Sequence, residues 1–252
     1  MKTPLKNLFL IAAPIFAGVI CMGFGFEKSA PISGHTVASV IKAELDPGRS
    51  LKSAAVYDSL ELDMAGLKRE AFDLAVKGWE KLKSEGKLGN ESVLAIVDFS
   101  QSSSRKRLYV LDMENYKMLF NTLVAHGRNS GREWATRFSN KVSSYQSSPG
   151  FYVTGQTYQG SNGYSLRLAG MEKGINDKAM KRAIVMHGAP YVSESFINRQ
   201  GYLGRSQGCP AVPAREAKGI INTLKDGTCL YIHVPGQTYI SKSALLRDRS
   251  MI

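Results

Sequence analysis

The stretch at 204–210 reads Gly-Arg-Ser-Gln-Gly-Cys-Pro, and the stretch at 184–188 reads Ile-Val-Met-His-Gly. The second is an apolar strand that ends at His187, with a glycine directly after it. The first is a glycine-rich turn that carries Cys209 and leads toward a helix. A cysteine needs a base within hydrogen-bonding distance to react as a thiolate near neutral pH. The two stretches therefore predict a working pair of Cys209 and His187 at a strand end.

Small residues beside the pair fit the same chemistry. Gly208 leaves room for a substrate carbonyl, and backbone N–H groups around Gly208 and Cys209 can be aimed at an oxyanion. Taken singly, Cys209 could instead be a small buried apolar residue, and His187 a hydrogen-bonded core histidine. The residues alone leave both alternatives open.

Short apolar segments separated by polar turns predict a mainly β domain around this pair. The first three segments, with turns between them, indicate an antiparallel meander. A polar loop at 127–148 follows the meander, and loops of this length are often functional. One short helix is expected at 213–225. The strands are expected at 92–99, 107–112, 117–124, 151–157, 165–168, 183–187 and 228–234.

The chain before the β domain divides into three parts. Residues 1–26 carry two lysines and then a long uncharged stretch, which predicts a cleaved signal peptide or an uncleaved membrane anchor. Residues 27–49 contain prolines and glycines without a sustained period and predict a linker. Residues 50–90 carry an apolar stripe at helical spacing, which predicts a helical segment with Asp63 as an N-cap.

Charge and cysteine content narrow the function classes. The net charge of +12 indicates an anionic partner or surface, such as a cell-wall polymer. The chain carries no nucleic-acid-binding motif, so no nucleic-acid partner is expected. Three scattered cysteines are too few for a disulfide scaffold or a zinc cluster. A zinc site could combine His126, His187 and His233, but no HExxH spacing supports it. His126 is predicted to be structural or close to the site.

Around His187 and Cys209 the chain resembles the L,D-transpeptidase catalytic-domain family of bacterial cell-wall enzymes, which has the YkuD-type fold. The family's turn Thr-Pro-x-Gly-x-Phe is similar to the stretch at 147–152, and the resemblance covers about residues 93–236. It implies a two-sheet catalytic domain with short helices over 91–236, leaving 237–252 as a C-terminal tail. The family's His-Gly at a strand end and its later Ser-x-Gly-Cys motif match His187, Gly188, Ser206, Gly208 and Cys209.

The resemblance implies acyl transfer on peptidoglycan stem peptides. The N-terminal segment predicts export to the periplasm or elsewhere in the cell envelope. Cys209 would attack the carbonyl of the L-centre of a diamino-acid residue, and D-Ala would leave. His187 would take the thiol proton and later activate the acceptor. An amine acceptor would give a 3→3 crosslink. The resemblance also implies covalent inhibition by carbapenems and no metal or organic cofactor. Contact with the membrane is expected only through an uncleaved N-terminal segment.

The chain departs from the family pattern beside the nucleophile. Gln207 stands where the family often has His, and Ala211 stands where it often has Arg. A different residue is therefore expected to hold the carboxylate of the substrate. The run at 198–210 resembles a branch described as murein L,D-transpeptidase catalytic-domain proteins. The substrate-binding candidates are Arg205, Tyr202, Arg199 and the loop residues Arg128, Arg132 and Arg137.

Two other functions remain open from the sequence. The same thiol could act as an L,D-carboxypeptidase or endopeptidase, because the choice of acceptor depends on the shape of the site. A catalytically silent wall-binding protein would also account for the basic charge. A disulfide between Cys209 and Cys229 would block the nucleophile and give an inactive form.

Overall fold

The structure is a computed structural model that describes residues 47–247 of the chain. The predicted signal peptide or anchor at 1–26, nearly all of the linker at 27–49, and residues 248–252 lie outside the described residues. Within the described part, no helix combines the length and the apolar composition that a membrane crossing requires.

In the part of the chain that the structure describes, the strands form one eight-stranded sheet at the centre of the domain, in the order β3-β2-β1-β8-β4-β5-β6-β7. This confirms the mainly β prediction and the antiparallel meander of β1, β2 and β3. Two sheets were expected, whereas the structure has one sheet in the described residues. The strands are β1 (Asn90–Asp98), β2 (Leu108–Asp112), β3 (Lys117–Thr122), β4 (Gly150–Gly160), β5 (Gly163–Gly170), β6 (Val185–Ala189), β7 (Ala211–Pro213) and β8 (Thr228–His233).

The last strand, β8, is the reason for one sheet rather than two. All six of its residues are buried. It pairs in parallel with β1 on one side and antiparallel with β4 on the other, so it joins the meander to the later strands. Just past β3, Ala125 makes an isolated bridge to Ala211 of β7. This bridge brings the two edges of the sheet together, which makes the sheet barrel-like.

Residues 47–247 contain five helices besides the sheet. They are α1 (Pro47–Ser59), α2 (Arg69–Ser84), α3 (Glu194–Gln200), α4 (Ala214–Leu224) and α5 (Gln237–Ile240). The long helix α2 packs on β1 and β8, and α4 packs on β5, β6 and β7. Gly78 of α2 is required for this packing, because a Cβ there would lie 2.0 Å from Cζ of Phe151 in β4.

The predicted helical segment at 50–90 is two helices with a break between them. In the break, Glu61 adopts a φ of 48° and Gly66 a φ of +89°, and both values interrupt a right-handed helix. Leu62 and Leu67 turn into the core there. The predicted N-cap is wrong, because α2 begins at Arg69 with Lys68 as its N-cap rather than at Asp63.

The segment assigned to a C-terminal tail packs against the domain as far as it is described. Tyr239, Ser243, Leu245 and Leu246 are all buried. Glu172 accepts hydrogen bonds from the hydroxyl of Tyr239 (2.8 Å) and from the hydroxyl of Ser243. The same carboxyl accepts the backbone N–H of Phe151 at 2.9 Å. One buried carboxyl therefore ties residues 237–243 to β4.

Candidate active site

Strand pairing brings His187 and Cys209 to the same end of the sheet. His187 lies on β6 and pairs in parallel with Ala211 of β7, two positions after Cys209. Both side chains are buried, and both line one cavity of about 620 Å³. The turn leads into β7 and not directly into a helix, because α4 begins only at Ala214.

The ring of His187 is held in one tautomer. Its Nδ1 lies 2.9 Å from the carbonyl oxygen of Gly188. A carbonyl only accepts hydrogen bonds, so Nδ1 carries a proton, and in the neutral ring Nε2 is then the nitrogen with the free lone pair. Gly188 is also required for packing, since a Cβ there would lie 2.8 Å from Cβ of Ala217 in α4. His187 can therefore act as a base through Nε2.

Burial raises the pKa of the Cys209 thiol, while the backbone N–H of Val185 and the charge of Arg182 oppose that rise. The sulfur lies 3.7 Å from the carbonyl oxygen of Ala183, to which the thiol can donate. Ala183 has a φ of 52°, a left-handed conformation that costs energy for a residue with a side chain. At rest the Cys209 side chain is therefore a thiol, which would need a base to react as a thiolate.

The turn before Cys209 is held by Ser206. Its hydroxyl donates to the carbonyl oxygen of Cys209 at 2.6 Å and accepts the backbone N–H of Gly208 at 3.0 Å. The N–H of Gly208, one of the expected oxyanion donors, is thus already engaged. Gly208 has a φ of +121°, and a Cβ there would lie 2.8 Å from the carbonyl oxygen of Gln146. This position therefore requires glycine.

The long loop at 127–148 is fastened to the same turn. The backbone N–H of Arg128 donates to the carbonyl oxygen of Ser206 at 2.8 Å, and the N–H of Ser206 donates to that of His126 at 3.0 Å. The hydroxyl of Ser147 accepts the N–H of Gly127 at 3.1 Å and donates to the carbonyl oxygen of Gly208 at 3.2 Å. The loop therefore forms one wall of the cavity.

His126 is structural. Its Nδ1 lies 2.8 Å from Nη2 of Arg107, a fully buried guanidinium that can only donate. Its Nε2 lies 3.4 Å from the carbonyl oxygen of Gly131. Burial and then the charge of Arg107 lower the pKa of His126 to about 3, so this ring stays neutral. The ring anchors the start of the loop.

Four cationic side chains line the cavity, and no Asp or Glu is among its described lining residues. The guanidinium of Arg128 lies 4.0 Å above the ring of Tyr145. Arg205 donates to the carbonyl oxygen of Gly131 at 3.2 Å and lies 5.6 Å from the ring centre of Tyr202. The cavity thus suits an anionic ligand. Its cations are Arg128, Lys181, Arg182 and Arg205.

The other substrate-binding candidates lie outside the lining of this cavity. Arg132 donates to the hydroxyl of Tyr202 at 3.0 Å, so these two candidates hold each other. Arg137 is exposed, and Arg199 lies over the ring of Phe196 in α3. The structure places Arg128 and Arg205 in the same cavity as Cys209 and His187. The other four candidates do not line this cavity.

The cavity residues that sequence reasoning missed include Lys181, Arg182 and Tyr191. Burial, and then the nearby Cys209, raise the pKa of the Tyr191 phenol to about 12. No motif in the sequence marks these positions, because they reach the cavity only through the approach to β6 and the turn after it.

The zinc and disulfide alternatives do not fit the geometry. Among residues 47–247, no three His, Cys, Asp or Glu side chains are grouped as metal ligands, and Nδ1 of His126 faces a guanidinium. His233 is buried in β8, and its Nδ1 lies 3.3 Å from the hydroxyl of Tyr231. Cys209 and Cys229 are both free thiols, and Cys229 is completely buried within β8.

Several solved structures are similar to this chain at low identity. LD transpeptidase LdtMt1, in complex with imipenem, is 14% identical, with 56% of this chain and 59% of that chain covered and a TM-score of 0.35. An L,D-transpeptidase from Mycobacterium smegmatis is 13% identical (57% and 59% covered, TM-score 0.35). The helical cell shape determining protein Pgp2 from Campylobacter jejuni is 12% identical (68% and 61% covered, TM-score 0.39).

The chain spans about three fifths of the length of these three structures. No curated protein sequence matches it. A family model described as the L,D-transpeptidase catalytic domain matches residues 63–233, which is more than half of the chain and includes the helix α2, the sheet and the cavity. On this match, the chain belongs to the L,D-transpeptidase catalytic domain family.

Proposed function

We propose that this chain catalyses cysteine-dependent acyl transfer on peptidoglycan stem peptides, as an L,D-transpeptidase that forms 3→3 crosslinks or related attachments. The observation that carries the proposal is the cavity that holds Cys209 and His187. Its described lining residues include four cations and no Asp or Glu. A stem peptide ends in a carboxylate, so this electrostatic environment favours it as a ligand. Membership of the family supports the same reaction class.

The reaction begins with a proton transfer. The thiol of Cys209 gives its proton to Nε2 of His187, whose Nδ1–H remains bound to Gly188. The sulfur electron pair then attacks the donor carbonyl, and a backbone N–H near Cys209 holds the oxyanion. When the tetrahedral intermediate collapses, the bond to the leaving D-Ala nitrogen breaks. That nitrogen takes the proton from His187, and an acyl-enzyme remains.

The acyl-enzyme is then resolved by an acceptor. An amine of a second stem peptide loses a proton to Nε2 of His187 and attacks the thioester, which releases the thiol and leaves a crosslink. If water attacks instead, the product is a shortened stem peptide.

The substrate carboxylate is proposed to bind Arg205 or Arg128. Both line the cavity of Cys209, whereas Arg132 and Arg137 do not. Arg205 is half-buried and donates one hydrogen bond to the carbonyl oxygen of Gly131. Its remaining N–H groups can form charge-assisted hydrogen bonds to a carboxylate. Such bonds would also hold the scissile carbonyl over the sulfur. Arg205 and Arg128 thus replace the arginine that the family often has at position 211.

Single Arg→Ala variants test this assignment with a tetrapeptide donor and with its C-terminal amide. Truncating the true partner should lower kcat/KM for the acid by about 10- to 100-fold, the loss expected for a charged hydrogen bond, and should change the amide little. Arg137→Ala is the matched control, because Arg137 is exposed in the same loop and lies outside the cavity lining. Normal discrimination in both Arg205→Ala and Arg128→Ala would refute the assignment.

Products from purified tetrapeptide muropeptides test the reaction itself. The proposal expects crosslinked dimers that depend on Cys209, with Cys209→Ala inactive and Cys229→Ala as the cysteine control that stays active. Tripeptides without dimers would assign the chain to the carboxypeptidases. Affinity for cell wall with no product at all would identify a silent wall-binding protein and would contradict the proposal.

The site of action is proposed to be the periplasm or another part of the cell envelope. Its support is the sequence of residues 1–26 and the peptidoglycan substrate. A full-length reporter fusion should be exported, and a fusion that lacks residues 1–26 should stay in the cytoplasm. Export of the shortened fusion would refute this prediction.

A further inference from the structure

Arg182 lies beside Cys209 and contacts the loop that forms one wall of the cavity. The residue immediately precedes Ala183, whose carbonyl faces the sulfur of Cys209. Its guanidinium is half-buried and lines the same cavity as Cys209 and His187. Its Nη2 lies 3.2 Å from the position that a Cβ on Gly208 would occupy. The guanidinium therefore packs directly on the residue before the nucleophile.

The same guanidinium donates to four acceptors in one loop. Nη1 bonds the carbonyl oxygen of Ser139 at 2.8 Å and the hydroxyl of Ser148 at 2.5 Å. Nη2 bonds the hydroxyl of Ser144 at 3.3 Å and the carbonyl oxygen of Gln146 at 2.5 Å. A planar fork with several fixed donors can make such a set of bonds, and a lysine ammonium at the same place cannot.

The backbone that these bonds hold is strained. Ser143 has a φ of 58°, Tyr145 a φ of 54° and Ala183 a φ of 52°, all in the left-handed region. All three residues line the cavity of Cys209. Conformations of this kind persist only where surrounding contacts enforce them. The bonds from Arg182 flank Tyr145 on both sides, at Ser144 and at Gln146.

We propose that Arg182 is a positioning residue for Cys209: it clamps the loop at 139–148 onto Gly208 and keeps its positive charge beside the sulfur. The inference rests on the proposed role of Cys209 as the nucleophile. The charge of Arg182 favours the thiolate and opposes the rise that burial causes in the pKa of Cys209. Loss of the guanidinium should therefore change both the loop and the thiol.

Two variants separate the clamp from the charge in the full-length protein. Arg182→Met removes both, whereas Arg182→Lys keeps the charge and loses the fork. Lys181→Met is the matched control, because Lys181 also lines the cavity but gives the loop no hydrogen bond among the described contacts. The first readout is the pH midpoint for alkylation of Cys209 by iodoacetamide, followed on its own peptide by mass spectrometry. The second is the rate of trypsin cleavage after Lys141 in the loop.

The expected outcomes differ between the variants. Arg182→Met should raise the alkylation midpoint by about one pH unit, the lower end of the effect of a nearby charge. Arg182→Lys should keep the midpoint of the unmodified protein, yet both Arg182 variants should be cleaved after Lys141 several-fold faster. Lys181→Met should change the midpoint less than Arg182→Met does and should leave cleavage unchanged.

Several results would overturn the inference. An unchanged midpoint in Arg182→Met, or an equal shift in Lys181→Met, would refute the role of the charge. Unchanged cleavage in Arg182→Lys would refute the clamp, and this readout remains decisive even if Arg182→Met does not fold. Alkylation needs no peptidoglycan, so a failure of the proposed function is seen separately, as a reactive Cys209 without turnover of stem peptides.

Discussion

Lowering the pH from 7 to 5 should cost this protein about 2 kcal/mol of folding free energy through one side chain, His126. Burial and the charge of Arg107 lower the pKa of this ring from 6.5 to about 3 in the folded protein. In the unfolded chain the ring regains its ordinary pKa. Between pH 3 and 6.5 the ring is therefore protonated in the unfolded state and neutral in the folded state.

The sign and size follow from this difference. Because the unfolded state binds more protons in that window, stability falls as the pH falls. At pH 7 the unfolded ring is mostly neutral and the penalty is small. At pH 5 the unfolded ring is almost fully protonated and the folded ring is not, which gives about 2 kcal/mol. The loss grows further toward pH 3.

Urea unfolding at pH 7 and pH 5 measures the effect, with His126→Asn as the comparison. The Asn side chain can accept the bond from Nη2 of Arg107, but it does not titrate. The variant should lose about 2 kcal/mol less than the unmodified protein between the two pH values, whatever its stability at pH 7. Other groups, His233 included, titrate alike in both proteins. Equal losses in both would refute a neutral buried His126.

Two further predictions concern buried positions. Burial raises the pKa of Glu172, so its stability contribution is present below the ordinary value of 4.5 and is lost as the pH rises through the raised value. Glu172→Gln should therefore gain stability relative to the unmodified protein from pH 4.5 to pH 8 in urea titrations, and a constant difference would contradict this. Gly208→Ala should lose about 1–3 kcal/mol of stability, because its φ is +121° and the added Cβ meets Gln146. It should also slow alkylation of Cys209; unchanged unfolding and alkylation would show that the turn tolerates a side chain.

The sequence was sufficient to predict most strands, because short apolar runs between polar turns are a local signal. The place of β8 in the middle of the sheet was not predictable in this way. Its sequence marks a buried strand, but its pairing with β1 and β4 depends on residues far away in the chain. The expected two sheets became one for this reason. The break between α1 and α2 was missed because Met64 and Leu67 continue the apolar stripe of α2 in the sequence, whereas in the structure Met64 is exposed and the backbone turns at Gly66.

That Cys209 and His187 lie in one cavity could be predicted, because a cysteine and a histidine beside glycines form a recognisable local pattern. Arg182 and Lys181 leave none, since their place in the cavity depends on how the chain approaches β6. The set of arginines was predicted too broadly for the same reason. Arg132 and Arg137 belong to the long loop, yet only the folded loop shows that their side chains lie outside the lining of the cavity.

Acylation by imipenem, located by mass spectrometry of peptides from the full-length protein, tests the central claim most directly. The β-lactam carbonyl would form a thioester with the sulfur of the nucleophile, as a stem peptide does. We expect one adduct, on Cys209, that is absent in Cys209→Ala and forms much more slowly in His187→Ala. An adduct on another residue, or equal acylation of the protein without His187, would contradict the assignment of the nucleophile and its base.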